Sequence, residues 1–178
     1  MKKLSMDELN RLSVDRFKES DKNSIIVALD DVRSQHNIGS VFRTADAFRV
    51  EKIILGGYTA TPPNREIQKT ALGATESVDW EYSKILANKI KDLKDKGYII
   101  VSIEQVDISV SLEKFNWDKL KKYAVVFGNE VKGVNNDIIS LSDYCVEIPQ
   151  FGTKHSFNIS VSAGIVLWDY FLKNNSNF

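Results

Sequence analysis

The chain has one cysteine, Cys145, and two histidines among its 178 residues. That excludes an internal disulfide and a cysteine-based zinc site, and it leaves no ligand spacing for a structural metal. No apolar run approaches the roughly 18 residues of a membrane-spanning helix; the longest, IIVAL and YAVVF, are the size of strands. The start, MKKLSMDEL, lacks the apolar stretch of a secretory signal, so a cytoplasmic protein is expected. An excess of either charge is missing too. Lys and Arg number 24 against 24 Asp and Glu, so no overall field argues for a polyanionic partner and only a local basic patch could supply one. Lysines do gather around Lys89 and around Lys121, but acids interrupt both groups, the pattern of solvated helix faces. No Gly-x-Gly-x-x-Gly follows the first apolar run, which argues against a dinucleotide enzyme of the Rossmann type. No Ser-His-Asp ordering or paired-carboxylate pattern emerges.

What is present suits one domain with a real core: 43% of residues are hydrophobic and 27% charged, at ordinary globular proportions. Ser5 and Glu8 stand at capping-box spacing, and Met6, Leu9, Leu12, Arg16 and Phe17 continue an amphipathic pattern. Residues 1–22 are therefore expected to form a short N-terminal helical extension. Strands are expected at 24–30, 53–55, 98–104, 123–127 and 144–148, with helices from Ile38, over 83–96 and 135–141, and from about Asn158 to Leu172. Alternating strands and helices imply an α/β domain over 23–173 with a mostly parallel sheet flanked by helices, leaving 174–178 as a tail. In such sheets ligands gather at the carboxyl ends of strands.

Three polar segments stand at those ends. The first is HNIGSVFRTADAF, in which Ile38, Val41, Phe42, Ala45 and Phe48 form one buried stripe and Arg43 falls well off it. Asn37 is placed to cap this helix, and Gly39 bares one side of its first turn for a close ligand. Taken alone, Arg43 and Asp46 read as a surface ion pair. The second, GNEVKGV, sets Gly128 and Gly133 around Asn129, Glu130 and Lys132. Its glycines permit close backbone approach, but it has no phosphate-loop ending. The third, QFGTKHSFNISVSAG, leads into the last helix; Ser160 and Ser162 read as caps, while Ser156 and Asn158 precede the helix. His155 has no acidic partner in the sequence and reads as a surface histidine. Between these, TPPNREIQKTALGA carries Arg65 and Lys69 and reads as a loop that either touches RNA phosphate or packs against another subunit. Trp80, Trp117 and Trp168 read as core or interface anchors.

In this order the segments NIGSVFRTA, GNEVKG and IPQFGTKHSFNIS resemble the SpoU or TrmH family of SPOUT RNA 2′-O-ribose methyltransferases, a resemblance that KTALGA and VDWEY extend over nearly the whole domain. It implies a SPOUT-type fold whose C-terminal segment forms a deep trefoil knot, with S-adenosyl-L-methionine as methyl donor. The cofactor-binding positions it implies are Glu104, Phe127, Gly128, Asn129, Gly133, Ile148, Ser156 and Phe157. Arg43 becomes the expected catalytic residue, with Asn37, Glu130, Ser156 and Asn158 orienting it and the substrate, and Arg43, Arg65 and Lys69 are the expected RNA contacts. The resemblance further implies a homodimer, with Arg43 working across the interface, and an RNA substrate, tRNA first and rRNA next; no metal and no membrane are expected from the residues themselves. A catalytically silent knotted RNA-binding or assembly protein is the alternative from a different class.

Overall fold

The structure is a computed structural model that describes residues 1–5 and 7–174. Met6 of the expected N-terminal helix and residues 175–178 of the expected tail lie outside the described residues. A 3₁₀ turn at Asp7–Leu9 precedes α1 (Val14–Glu19), β1 (Asn23–Asp30), α2 (Gln35–Ala47), β2 (Val50–Gly56), α3 (Arg65–Ala71), α4 (Ala74–Ser77) and β3 (Trp80–Ser83). Then come α5 (Leu86–Asp95), β4 (Tyr98–Ile103), β5 (Val110–Ser111), β6 (Lys122–Phe127), α6 (Asn136–Ile139), β7 (Tyr144–Glu147) and α7 (Ile159–Asn174).

Strand alternation builds the layers. Ile25, Val27 and Leu29 of β1 enter one apolar cluster with Tyr123, Val125 and Phe127 of β6. Ile26 and Ala28 enter a second cluster with Ala124 and Val126. These strands are thus buried on both faces, as a parallel sheet requires. Helices α2, α3 and α7 close the first cluster through Phe42, Ile67 and Leu167, and α5 closes the second through Leu86, Ile90 and Leu93. Among the described residues the sheet has seven strands in the order β3-β2-β1-β6-β4-β7-β5, and their pairings are all parallel. Two strands late in the chain, β6 and β7, enter between earlier ones. The chain leaves β1 for β2 on one side while later strands fill the other, so the junction of β1 and β6 is a topological switch point.

Several local expectations need correction. The capping box at Ser5 and Glu8 forms, with the Ser5 N–H donating to Glu8 Oε2 at 2.7 Å. It yields only one 3₁₀ turn, because Asn10 adopts a positive φ of 47° and breaks the helix. A separate helix, α1, starts at its own cap, Ser13. Gly39 does not bare a ligand face. A Cβ there would meet Thr70 Oγ1 at 2.1 Å and the Ile67 carbonyl at 2.2 Å, so its missing side chain lets α3 pack directly on α2. TPPNREIQKTALGA is accordingly not a loop but the site of α3, capped by Asn64, and of the start of α4. Trp117 is a core residue, its indole N–H donating to Asp169 at 2.8 Å, whereas Trp168 stays 48% exposed.

Candidate active site

The loops after β1, β6 and β7 converge at one end of the sheet. The loop after β6 is folded on itself: the Asn129 and Gly133 backbones exchange N–H···O bonds, each at 2.9 Å. The Asn129 side chain accepts from Val131 and Lys132 N–H at 2.9 and 3.0 Å and donates to the Asp31 carbonyl at 2.7 Å. Its polar atoms are therefore committed to shaping the loop. Gly133 has φ 70°, and a Cβ there would strike Glu104 Oε2 at 2.1 Å, so glycine serves both the turn and the approach of Glu104. That carboxylate accepts the Val134 N–H at 2.9 Å and the Gln105 N–H at 3.0 Å, which braces the loop against β4.

Glu130 ties this loop to the start of α2. Its carboxylate accepts from the backbone N–H of Arg33 at 3.2 Å and Ser34 at 3.1 Å, and from Asn37 Nδ2 at 3.3 Å. Burial pushes the Glu130 pKa up, but its own backbone N–H, those of Arg33 and Ser34, and the Asn37 amide outweigh that and hold it below the ordinary glutamate range. Glu130 is thus a carboxylate satisfied by donors rather than a poised base. Asn37 is not the cap of α2. Ser34 is, accepting from the Asn37 N–H at 3.3 Å, which leaves the Asn37 side chain free to bridge. Its Oδ1 accepts from Asn158 Nδ2 at 3.1 Å. Asn158 Oδ1 in turn accepts from Ser160 N–H at 2.9 Å and Oγ at 2.7 Å, so Asn158, not Ser160 or Ser162, caps α7. One hydrogen-bonded chain, Glu130 to Asn37 to Asn158, therefore links all three polar segments.

Beside this chain lies a cleft of about 490 Å³, within the range of small-molecule sites. Glu104, Phe127, Gly128, Asn129 and Gly133 line one wall, and Ile148, Ser156 and Phe157 the other. All eight positions implied for the cofactor thus face one cavity. Phe127 is only 2% exposed, so it offers the cleft its backbone more than its ring. His155 lines the same cleft as an exposed residue. Gln105 and Gln150 also line it and were missed; only their position just beyond strand ends could have signalled them. Arg43 is not brought to this cleft. It lies six residues beyond Asn37 on α2, roughly 120° round the helix and about 9 Å along it. It is exposed and has no hydrogen-bond or ion-pair partner among the described residues. The expected pair with Asp46 does not form; Asp46 instead accepts from Ser77 Oγ. Arg65 is exposed at the start of α3, and Lys69 pairs with Glu66 at 2.7 Å while His36 Nε2 meets the same carboxylate at 2.9 Å.

A wholly parallel α/β sheet with a loop-walled cleft at its carboxyl end defines the class, and solved TrmH/SpoU structures share it. An A. aeolicus TrmH/SpoU tRNA-modifying enzyme superposes with a TM-score of 0.81 at 26% identity, over 92% of this chain and 83% of that one. An AdoMet-bound rRNA methyltransferase from Sinorhizobium meliloti superposes with a TM-score of 0.78 at 26% identity, over 87% of this chain and 59% of that one. The sequence model of the SpoU rRNA methylase family matches residues 24–168, and the chain belongs to that family. Among curated relatives, the 23S rRNA (guanosine-2′-O-)-methyltransferase RlmB of Neisseria meningitidis is 34% identical over 143 residues, covering 80% of this chain and 56% of that protein. An uncharacterised tRNA/rRNA methyltransferase of Borreliella burgdorferi is 31% identical over 156 residues, covering 88% of this chain and 67% of that protein. The chain thus spans between 56% and 67% of the length of these relatives. No helix among the described residues is long and apolar enough to cross a membrane.

Proposed function

We propose that this protein is an S-adenosylmethionine-dependent RNA methyltransferase that modifies a ribose 2′-hydroxyl. The observation that carries this reading is the chain of hydrogen bonds from Glu130 through Asn37 to Asn158 at the edge of the cofactor-sized cleft. The cleft suits the donor: Ile103, Ile148 and Phe157 offer apolar surface to a base, while the 128–133 loop offers backbone polar groups. When bound, S-adenosylmethionine supplies a methyl group on a sulfonium. Held between the 128–133 loop and the Ile148 and Phe157 side of the cleft, that methyl would pass to the 2′-oxygen, with the electron pair of the broken carbon–sulfur bond left on sulfur and the hydroxyl proton taken by substrate phosphate or water.

The protein's own part is alignment. Asn37, held by Glu130 and Asn158, fixes the backbone where the ribose must approach, and Ser156, on the cleft wall, orients the reacting group. Arg43 stays protonated at any working pH, so it anchors a phosphate and stabilises the developing alkoxide rather than acting as a base. Because Arg43 is exposed and does not line its own cleft, we assign it to the cleft of a second copy in a homodimer. A stripe along α7 supports that assembly, since Val161, Trp168 and Leu172 are exposed at near-helical spacing and Trp168 and Phe171 form an aromatic patch with Phe48. Such a patch calls for a partner. The entry of β6 and β7 between earlier strands supports the knotted path. Arg65 and Lys69 complete the RNA-facing side. We take tRNA as the first substrate to test and rRNA as the second, and the 2′-hydroxyl requirement excludes DNA. The test is transfer of labelled methyl from S-adenosylmethionine to total cellular RNA. Transfer supports the enzyme, and cofactor binding without any transfer supports the silent RNA-binding protein.

A further inference from the structure

A second crevice, of about 270 Å³, opens beyond the ends of β1 and β6. It lies at the switch point of the sheet, where α/β folds place ligands. Asn129, Lys132 and Gly133 line both this crevice and the cofactor-sized cleft, so one loop separates the two. The floor is acidic and the rim basic. Asp30 is only 5% exposed; its Oδ2 accepts the Asn135 N–H at 2.8 Å, and its other oxygen has no protein partner among the described residues. The neighbouring Asp31 accepts the Tyr58 N–H through Oδ1 at 2.7 Å, and its Oδ2 likewise has no partner among the described residues. At the rim, Arg33 and Lys132 are exposed and pair with no described acid, and Tyr58 is 85% exposed.

The charges sort the possible ligands. A phosphate on the floor would meet two carboxylates, and a bare metal ion would meet only two ligating carboxylates beside two cations; no described group of three such ligands exists. A mostly buried carboxylate with one oxygen reachable from the crevice suits N–H donors instead. A group with donors at its inner edge, a flat face for the tyrosine and anionic flanks for the cations is a nucleotide. Among the bases, guanine presents two adjacent donors, N1–H and the 2-amino group, one for the free Asp30 oxygen and one for the remaining lone pair of Oδ2, which already accepts the Asn135 N–H.

We propose that the crevice between β1 and β6 is a nucleobase pocket for the substrate RNA. It takes guanine through Asp30, with Tyr58 against the ring and Arg33 and Lys132 on the flanking phosphates. The pocket rests on the reading of the protein as acting on RNA, and it places the recognised base against the same loop that walls the methyl-donor cleft. It makes the acidic floor the source of base preference and the basic rim a base-independent anchor.

The test titrates the full chain with 5′-GMP, 5′-IMP, 5′-AMP and inorganic phosphate, following the backbone amides of Asn135 and Tyr58 by NMR without cofactor or transfer. GMP should shift both amides with a dissociation constant about tenfold below those of IMP and AMP. In Asp30→Asn the amide oxygen keeps the Asn135 N–H and the amide nitrogen meets the base as a donor, so the guanine preference should vanish. Tyr58→Ala, at an exposed position that leaves the fold intact, should weaken all three nucleotides alike. Equal affinity for the three nucleotides, the same shifts from phosphate alone, or shifts confined to the larger cleft would overturn the pocket. None of these results depends on methyl transfer, so a failed pocket and a failed enzyme are told apart.

Discussion

Asn158 Nδ2 donates to Asn37 Oδ1 at 3.1 Å across 121 residues of sequence. With Oδ1 of Asn158 spent on capping α7 and Nδ2 of Asn37 spent on Glu130, each amide is fixed at both ends. Two helix starts and one loop are thereby locked in a single geometry. Asn37→Ala should lower turnover by about 100-fold while leaving the affinity for S-adenosylmethionine within a few-fold, because Asn37 does not line the cleft. Calorimetry for the cofactor beside single-turnover methyl transfer reads the two effects separately. A rise in KM alone, with kcat kept, would argue against an aligning role.

The low pKa of Glu130 carries a sign. A carboxyl whose folded pKa lies below its ordinary value of 4.5 contributes stability that is fully present above that value and is lost as pH falls through the folded one. Glu130→Gln should therefore be less stable than the parent at pH 7, with the gap narrowing below pH 4.5. Urea denaturation of both proteins across this range checks it, and a gap that does not change with pH would contradict it.

Gly39→Ala forces a Cβ against Thr70 Oγ1 and the Ile67 carbonyl. The hydroxyl can turn, but the carbonyl belongs to α3 and cannot move without shifting that helix. A loss of about 1–3 kcal/mol is expected by chemical denaturation, with cofactor binding retained, since the α2 and α3 contact lies away from the cleft.

The assignment of Arg43 to a second copy predicts complementation. Arg43→Ala and Asn158→Ala proteins should each be nearly inactive, and refolding them together should restore activity through mixed dimers carrying one intact site. Arg43→Lys should stay impaired, because a lysine lacks the planar fork. Trp168→Glu should sediment as a monomer and lose turnover. An active monomer, or a mixture with no recovery, would contradict the shared site.

Much of this was legible in sequence because the signals are periodic or strongly typed. IIVAL and YAVVF announce strands buried on both faces, and the Ile38, Val41, Phe42 and Ala45 stripe announces α2. Six of the eight positions expected for the cofactor stand in two short motifs, GNEVKG and IPQFGTKHSFNIS, whereas Glu104 and Phe127 follow only from the family resemblance. What stayed hidden depends on contacts between distant elements. β3 and β5 are short edge strands, and WEYS is only partly buried, so no alternation marks it. Helix α3 looked like a loop because Pro62 and Pro63 precede a polar stretch with few apolar positions. Gly39 carried the wrong meaning because one chain position cannot tell a neighbouring helix from a ligand. Asn37 seemed a cap because Asn before an apolar stripe usually is one, yet Ser34 starts the helix a turn earlier.

Incubating the protein with methyl-labelled S-adenosylmethionine and total cellular RNA, digesting the RNA to nucleosides, and identifying the labelled species by mass spectrometry reads directly whether a ribose is the methyl acceptor. Ribose methylation by this protein should leave label in a 2′-O-methylnucleoside, absent with Arg43→Ala and absent on DNA. Label on a base, or cofactor binding with no label on tRNA or rRNA, would contradict it.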